Sequence, residues 1–150
     1  MKIGLTIAAV LALAFASAPA SAASKQQMEI NKKNVLAFYD AAINKKDFEA
    51  ASKFIGNRYV QHNPGAADGI EGFKAFLAFL RDKFPNYHSD IKRAFVDGDY
   101  VILHVHNMSS PGVRGRAIVD IFKFENGKIV EHWDVAQDIP EKPRNNNTMF

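Results

Sequence analysis

The sequence contains no cysteine. Disulfide cross-links, thiol nucleophiles and thiolate-bound metals are therefore excluded, and the hydrophobic core must hold the fold unaided. There is no G-x-G-x-x-G, no Walker-type phosphate loop and no G-x-S-x-G, which removes the usual signals for nucleotide cofactors and serine hydrolases. No H-E-x-x-H zinc motif is present either. The formal charge is +3, but lysine and arginine are scattered rather than gathered into a stripe, so no nucleic-acid partner is expected. The chain shows no internal repeat and no break that would divide it into two folded domains.

What is present fits one globular domain. The 150 residues are 47% hydrophobic and 23% charged, and twelve phenylalanines make the core aromatic. The first residues, MKIGLTIAAVLALAFASAPASA, join a basic Lys2, an apolar stretch from Ile3 to Ala16 and the small trio Ala20-Ser21-Ala22. That is the pattern of a secretory signal peptide, too short and alanine-rich for a comfortable membrane span. Residues 1–22 are thus expected to be removed on export to the periplasm or the medium. A domain at 23–138 and a polar, proline-containing tail at 139–150 remain.

Ser24-x-x-Gln27 reads as a capping box opening a helix that ends at Asn44-Lys45-Lys46. Asp47 caps a second, short helix that Gly56-Asn57 closes. Arg58–His62 is a short extended piece. Ile70, Phe73, Leu77, Leu80 and Phe84 form the stripe of a third helix, stopped by Pro85. From Tyr87 the hydrophobic period changes to two. Strands are predicted over 88–96, 99–109, 115–125 and 128–137, with Asp97-Gly98 and Asn126-Gly127 as tight turns. Helices followed by a meander make an α+β fold: three N-terminal helices packed on a curved antiparallel sheet of four to five strands.

His104 and His106 lie two apart in VILHVHNM and so share one side of a strand. Counting through the hairpins places His106 opposite Asp120, and Asp120 opposite Trp133. His132 and Asp134 then point to the other face, unless the Asn-Gly turn conceals a bulge. Asp120 is flanked by Ile118 and Phe122 on its row. Burial there raises a carboxyl pKa and a nearby imidazolium lowers it, which suits an acid–base pair; a buried acid with no chemistry is the plainer alternative. His62, His104, His106 and Asp120 form the one set that resembles metal ligands, but no motif supports it, so no metal and no cofactor is expected.

YVQHNP at 59–64, HVHN at 104–107 and DIFKFENGKIVEHWDVAQ at 120–137 together resemble the SnoaL-like polyketide cyclase family of the nuclear transport factor 2-like superfamily. The resemblance spans about residues 30 to 138. It implies a cystatin-like cone with a deep apolar pocket and cofactor-free acid–base catalysis, with Asp120 and His106 at the catalytic positions and His62 near the pocket mouth. His104, Phe122 and Trp133 are expected to join His62 around the substrate. Two functions follow. One is an exported cyclase, isomerase or lyase acting on a small apolar carbonyl compound; the other is a binding protein of the cell envelope holding such a ligand without chemistry. The apolar outward row Ala117, Val119 and Ile121 also predicts a homodimer through the sheet face.

Overall fold

The computed structural model describes residues 23–150. The expected signal peptide lies outside the described residues. Helix α1 spans Lys25–Tyr39 and runs directly into a π-helical turn, Asp40–Asn44. Helix α2 is Phe48–Ser52, and strand β1 is Ile55–Gln61. Helix α3 is Gly69–Lys83, followed by β2 His88–Asp97, β3 Tyr100–Met108, β4 Arg116–Glu125 and β5 Lys128–Asp138. The caps are those read from the sequence. Ser24 accepts from the Gln27 N–H at 3.1 Å, and Asp47 from the Ala50 N–H at 2.9 Å. None of the described helices is long and apolar enough to cross a membrane.

The five strands form one sheet in the order β1-β5-β4-β3-β2. The meander β2 to β5 is antiparallel, as expected, but β1 joins β5 in parallel, so the sheet is mixed. The reason is the connection. The chain leaves β1 through α3 and re-enters the sheet at the far edge as β2, and the three antiparallel connections from β2 bring it back as β5 beside β1, running in the same direction.

One face of this sheet carries the core. Val101, Leu103 and Val105 of β3, with Phe122 and Phe124 of β4, alternate inward and are buried. They meet Val35, Phe38 and Tyr39 of α1 and Phe73, Leu77 and Leu80 of α3. Aromatic contacts dominate the middle of this layer. Phe38 stacks on Phe73 at 5.5 Å between centroids and meets Phe122 edge-on at 5.8 Å. The helix stripe is narrower than the sequence suggests, because Ile70 and Phe84 at its ends are about 40% exposed.

The decisive local feature is a bulge in β5. Asn126 and Gly127 both adopt positive φ, so the turn is the tight one expected. Pairing then runs Glu125↔Lys128 and Phe124↔Ile129, but jumps to Lys123↔Glu131. Val130 is the extra residue, and every later residue of β5 changes face. Asp120 therefore lies opposite Asp134, not Trp133. The β3–β4 loop is also centred earlier than the count assumed. His106 pairs with Ala117, and Asp120 with Leu103. The offset is three residues, an odd number, so it too exchanges the faces.

Packing of α3 against the sheet is checked by two truncations. Leu77 is fully buried and Phe79 is 51% exposed. In urea unfolding, Leu77→Ala is expected to cost about 3 kcal/mol. Phe79→Ala, on the same helix, is expected to change stability by less than about 0.5 kcal/mol. Equal losses would contradict this packing.

Candidate active site

Asp120 and His132 meet on the inner face, brought there by the β5 bulge. The His132 Nε2 lies 2.9 Å from Asp120 Oδ1, and the Tyr39 hydroxyl donates to Asp120 Oδ2 at 3.0 Å. Both carboxyl oxygens are thus used, and Asp120 is only 4% exposed. On its other edge, His132 Nδ1 lies 3.1 Å from Gln61 Oε1. Phe122 stacks on the imidazole at 4.7 Å.

This network fixes where the protons are. The Asn63 N–H donates to Gln61 Oε1 at 2.9 Å, so that atom is the amide oxygen and an acceptor. His132 Nδ1 must then carry a hydrogen and donate to it. A second proton lies on the 2.9 Å line between Nε2 and Asp120. It is either on the ring, giving an imidazolium–carboxylate pair, or on the carboxyl, giving two neutral partners. Burial pushes the Asp120 pKa up; the His132 and Tyr39 hydrogen bonds oppose this, and the charge of Asp134 adds to it. Tyr39 stays a neutral donor, since burial and the Asp120 charge raise its pKa well above the ordinary tyrosine range.

A second carboxylate stands beside the pair. Asp134 Oδ2 is 4.0 Å from His132 Nε2, and both Asp134 oxygens accept from Asn63 Nδ2 at 2.8 Å. Asp120, His132 and Asp134 offer ligand atoms within 4.8 Å of one another and are the residues here that could hold a metal. Their hydrogen bonds to Tyr39, Gln61 and Asn63 already account for the orientation of all three side chains.

His132 borders two small adjoining cavities. One, of about 150 Å³, is bounded by Gln61, Asn63, Phe73, Phe76, His132 and Asp134. The other, of about 50 Å³, is bounded by Tyr39, Tyr59, Phe73, Phe122 and His132, and Gln61 lines both. The larger has the size of an apolar cavity that takes up benzene. The deep pocket that the family resemblance implies is, in this chain, a narrow one for a small molecule.

Of the six residues expected at the site, Asp120 and Phe122 are there. The other four are on the outer face of the sheet. His104 and His106 do share one side, as their spacing requires, but it is the side away from Asp120. Arg93 donates to His104 Nδ1 at 3.0 Å, and His106 Nε2 donates to the Arg114 carbonyl at 2.7 Å. The ring of Phe150 lies 5.3 Å from that of His104 and 4.7 Å from that of His106. The end of the polar tail is thus seated on these two histidines, and the tail lines a cavity of about 690 Å³ together with His106 and Arg114. His62 stacks on Trp133 at 4.3 Å, and its Nε2 lies 3.2 Å from Glu131, again outside. The sequence reading missed His132, Tyr39, Gln61, Asn63 and Asp134. The available signal was Ile129-Val130, two adjacent apolar residues directly after a tight turn, where strict alternation allows one inward residue.

Fold and site together define an α+β protein with a buried acid–imidazole pair beside a small cavity. The sequence profile of the SnoaL-like polyketide cyclases matches residues 33–141, and the chain belongs to that family. Solved structures of similar fold include a candidate polyketide cyclase from Bacillus cereus, 22% identical, covering 76% of this chain and 78% of that one at a TM-score of 0.65. Another, from Acidithiobacillus ferrooxidans, is 23% identical and covers 71% of this chain and 87% of that one at a TM-score of 0.61. An NTF-2 like protein of unknown function from Burkholderia xenovorans is 20% identical, covering 79% and 91% at a TM-score of 0.62. No curated protein sequence matches the chain.

The network makes Asp120→Asn a conservative change. The amide oxygen accepts from Tyr39, its NH2 donates to His132 Nε2, and His132 Nδ1–H still reaches Gln61. Stability of the variant at pH 7 is expected to equal the wild type or exceed it by about 1 kcal/mol, because a costly buried acid is gone. The Asp120 pKa is higher folded than unfolded. Its contribution to stability is thus fully present below the ordinary carboxylate range and is lost as pH rises through the raised value. Urea unfolding from pH 4 to 7 is expected to show that loss in the wild type and a flatter profile in Asp120→Asn. A variant that unfolds at pH 7 would contradict the network.

Proposed function

We propose that this protein is an exported, cofactor-independent acid–base enzyme that moves a proton on carbon next to the carbonyl of a small molecule, as a cyclase, isomerase or lyase. The observation that carries the reading is the two-sided hydrogen bonding of His132. Gln61 requires a hydrogen on Nδ1, and Asp120 shares one with Nε2. The resting pair is therefore an acid, with its donating edge at the cavity wall. Asp134 borders the same cavity and is held open by Asn63. One group able to give a proton and one able to take it thus stand side by side in different environments, the arrangement general acid–base catalysis needs.

In this reading Asp134 removes the proton from carbon. His132 supplies its Nδ1 proton to the oxygen that gains charge, once the substrate displaces it from Gln61. Asp120 is a positioning residue that fixes the ring and stabilises the proton on Nε2. The phenylalanine walls exclude water and strengthen these interactions. The second reading, a non-catalytic binder of small apolar ligands, draws support from the enclosure of Asp120, both of whose oxygens are occupied.

Solvent exchange separates the two. Small ketones and aldehydes incubated with the protein in D2O are expected to exchange α-hydrogen for deuterium, followed by NMR. Asp134→Asn is expected to lower that rate at least about a hundredfold. Exchange no faster than with buffer, for every carbonyl compound tried, would favour the binding reading. Export and self-association are part of the same proposal. The apolar outer strip of Tyr100, Val119, Ile121, Trp133 and Val135, the last 69% exposed, is the proposed dimer face. Protein recovered from the producing cell's envelope or medium is expected to begin at Ala23 by mass spectrometry and to scatter light as a dimer. An uncleaved N-terminus or a monomer would count against the respective half.

A further inference from the structure

Taking the two cavities as the substrate site of the acid–base reading, we infer that Phe76 sets the size of the substrate. Its ring divides the site into a polar outer part and an apolar inner part, and the compound that fits carries a short apolar arm behind that ring.

The two cavities have different walls. Asn63 and Asp134 give the larger one its polar groups, and its lining includes Gly65 and Ala67, which are exposed. The smaller one is walled by Phe38, Tyr39, Tyr59 and Phe122, each no more than 6% exposed, and by Ile43 of the π-helical turn. A ligand therefore enters through the larger cavity and reaches the smaller one from it. Four residues line both, namely Gln61, Phe73, Phe76 and His132, and they form the partition.

Three of the four are fixed. Gln61 Oε1 and His132 Nδ1 hold each other at 3.1 Å, and Gln61 also accepts from the Asn63 N–H at 2.9 Å. Phe73 is 6% exposed, and its ring packs on Phe38 at 5.5 Å, Phe48 at 6.0 Å and Tyr59 at 5.4 Å. The loop between β1 and α3 is held too. A Cβ at Gly72 would collide with the Ala67 carbonyl, so this loop lies directly on the helix. Asp68 ties it back to β1 by accepting from the Gln61 N–H at 2.8 Å. Phe76 is the exception. It follows Gly72 by one turn on the same side of α3 and is 36% exposed. Side chains this exposed change rotamer within nanoseconds. Phe76 is thus the part of the partition that yields to a ligand, and the part whose bulk limits it.

The chemistry orients the molecule. The carbon that loses its proton lies beside Asp134 in the larger cavity, and the oxygen that gains charge lies beside His132. The remainder then meets the partition. Beyond it the surface is ring and hydrocarbon, and the Tyr39 hydroxyl is already spent on Asp120. The space there is about 50 Å³, less than two water molecules occupy in the liquid at about 30 Å³ each. An arm of a few carbons fills it. Each carbon buried there adds about fourfold to affinity until the room ends.

The probes are methyl ketones whose straight alkyl arm runs from one carbon to six, with affinity read by NMR titration of the protein. In the wild type, affinity is expected to climb about fourfold per carbon to an arm of about three carbons and to fall beyond it. Phe76→Ala is expected to keep climbing by at least two further carbons, and the milder Phe76→Leu by about one. Phe79→Ala, on the same helix but lining neither cavity, is expected to keep the wild-type optimum. The same optimum in Phe76→Ala as in the wild type, an equal displacement in Phe79→Ala, an unbroken climb through six carbons in the wild type, or no ketone binding would each overturn the inference. Deuterium exchange with the same arm-length preference in wild type and Phe76→Ala would overturn it while leaving the acid–base reading intact. An optimum that moves in Phe76→Ala without exchange on any ketone would do the reverse.

Discussion

The structure depends on the cost of burying one carboxyl group. Asp120 sits in the middle of a phenylalanine-rich layer, where an unpartnered anion would be worth several kcal/mol of destabilisation, of order 3–5. The fold answers by converging three elements on it. Helix α1 supplies the Tyr39 hydroxyl, β5 supplies the His132 imidazole, and β1 supplies Gln61 to hold that imidazole from behind. Tyr39 is the last residue of α1 before the π-helical turn, so the change of helical winding begins where this contact is made. The parallel placement of β1 beside β5 is what brings Gln61 to His132.

The same constraint links fold to chemistry. A proton held between a buried carboxyl and a ring nitrogen is retained to higher pH than on an exposed carboxyl, because burial disfavours the charged form. The ring can instead release its other proton, from Nδ1, and keep the shared one on Nε2 beside the carboxylate. Asp134 is differently placed, across the strand pair from Asp120 and open to the larger cavity. In the proposed reading, two aspartates that are cross-strand neighbours take opposite roles, one to position and one to react. The neutral amide Asn63 orients the second without adding a charge.

Much of the fold could be read from the chain. Ser24 and Asp47 mark helix starts because their side chains accept hydrogen bonds from the following N–H groups. Gly98 and Gly127 mark turns because those turns require positive φ. The switch from a helical to a twofold hydrophobic period after Pro85 gives the order of elements, and DIFKFENGKIVEHWDVAQ carries the family. Asp120 and Phe122 were legible as inward residues by alternation alone. Their partner was not. A strand's faces exchange with every one-residue slip, and Val130 supplies such a slip while the Asn-Gly turn remains as expected. His132 and Trp133 trade places on that single insertion, and a second odd offset moves His106 outward. The parallel seat of β1, and with it Gln61, depends on long-range packing that no local pattern records.

The outer face follows from the same exchange. Four residues that resembled a site, His62, His104, His106 and Trp133, instead organise the exterior, where His62 and Trp133 stack and the two other histidines seat Phe150. The central claim is that His132 carries a hydrogen on Nδ1 and shares another with Asp120. Long-range proton–nitrogen NMR of the imidazole, in the wild type and in Asp120→Asn, tests it most directly. The account expects a protonated Nδ1 in both, a strongly downfield proton on the Nε2–Asp120 line in the wild type alone, and an unprotonated Nε2 in the variant. An unprotonated Nδ1 at pH 7 in either protein, or no downfield proton between Nε2 and Asp120 in the wild type, would contradict it.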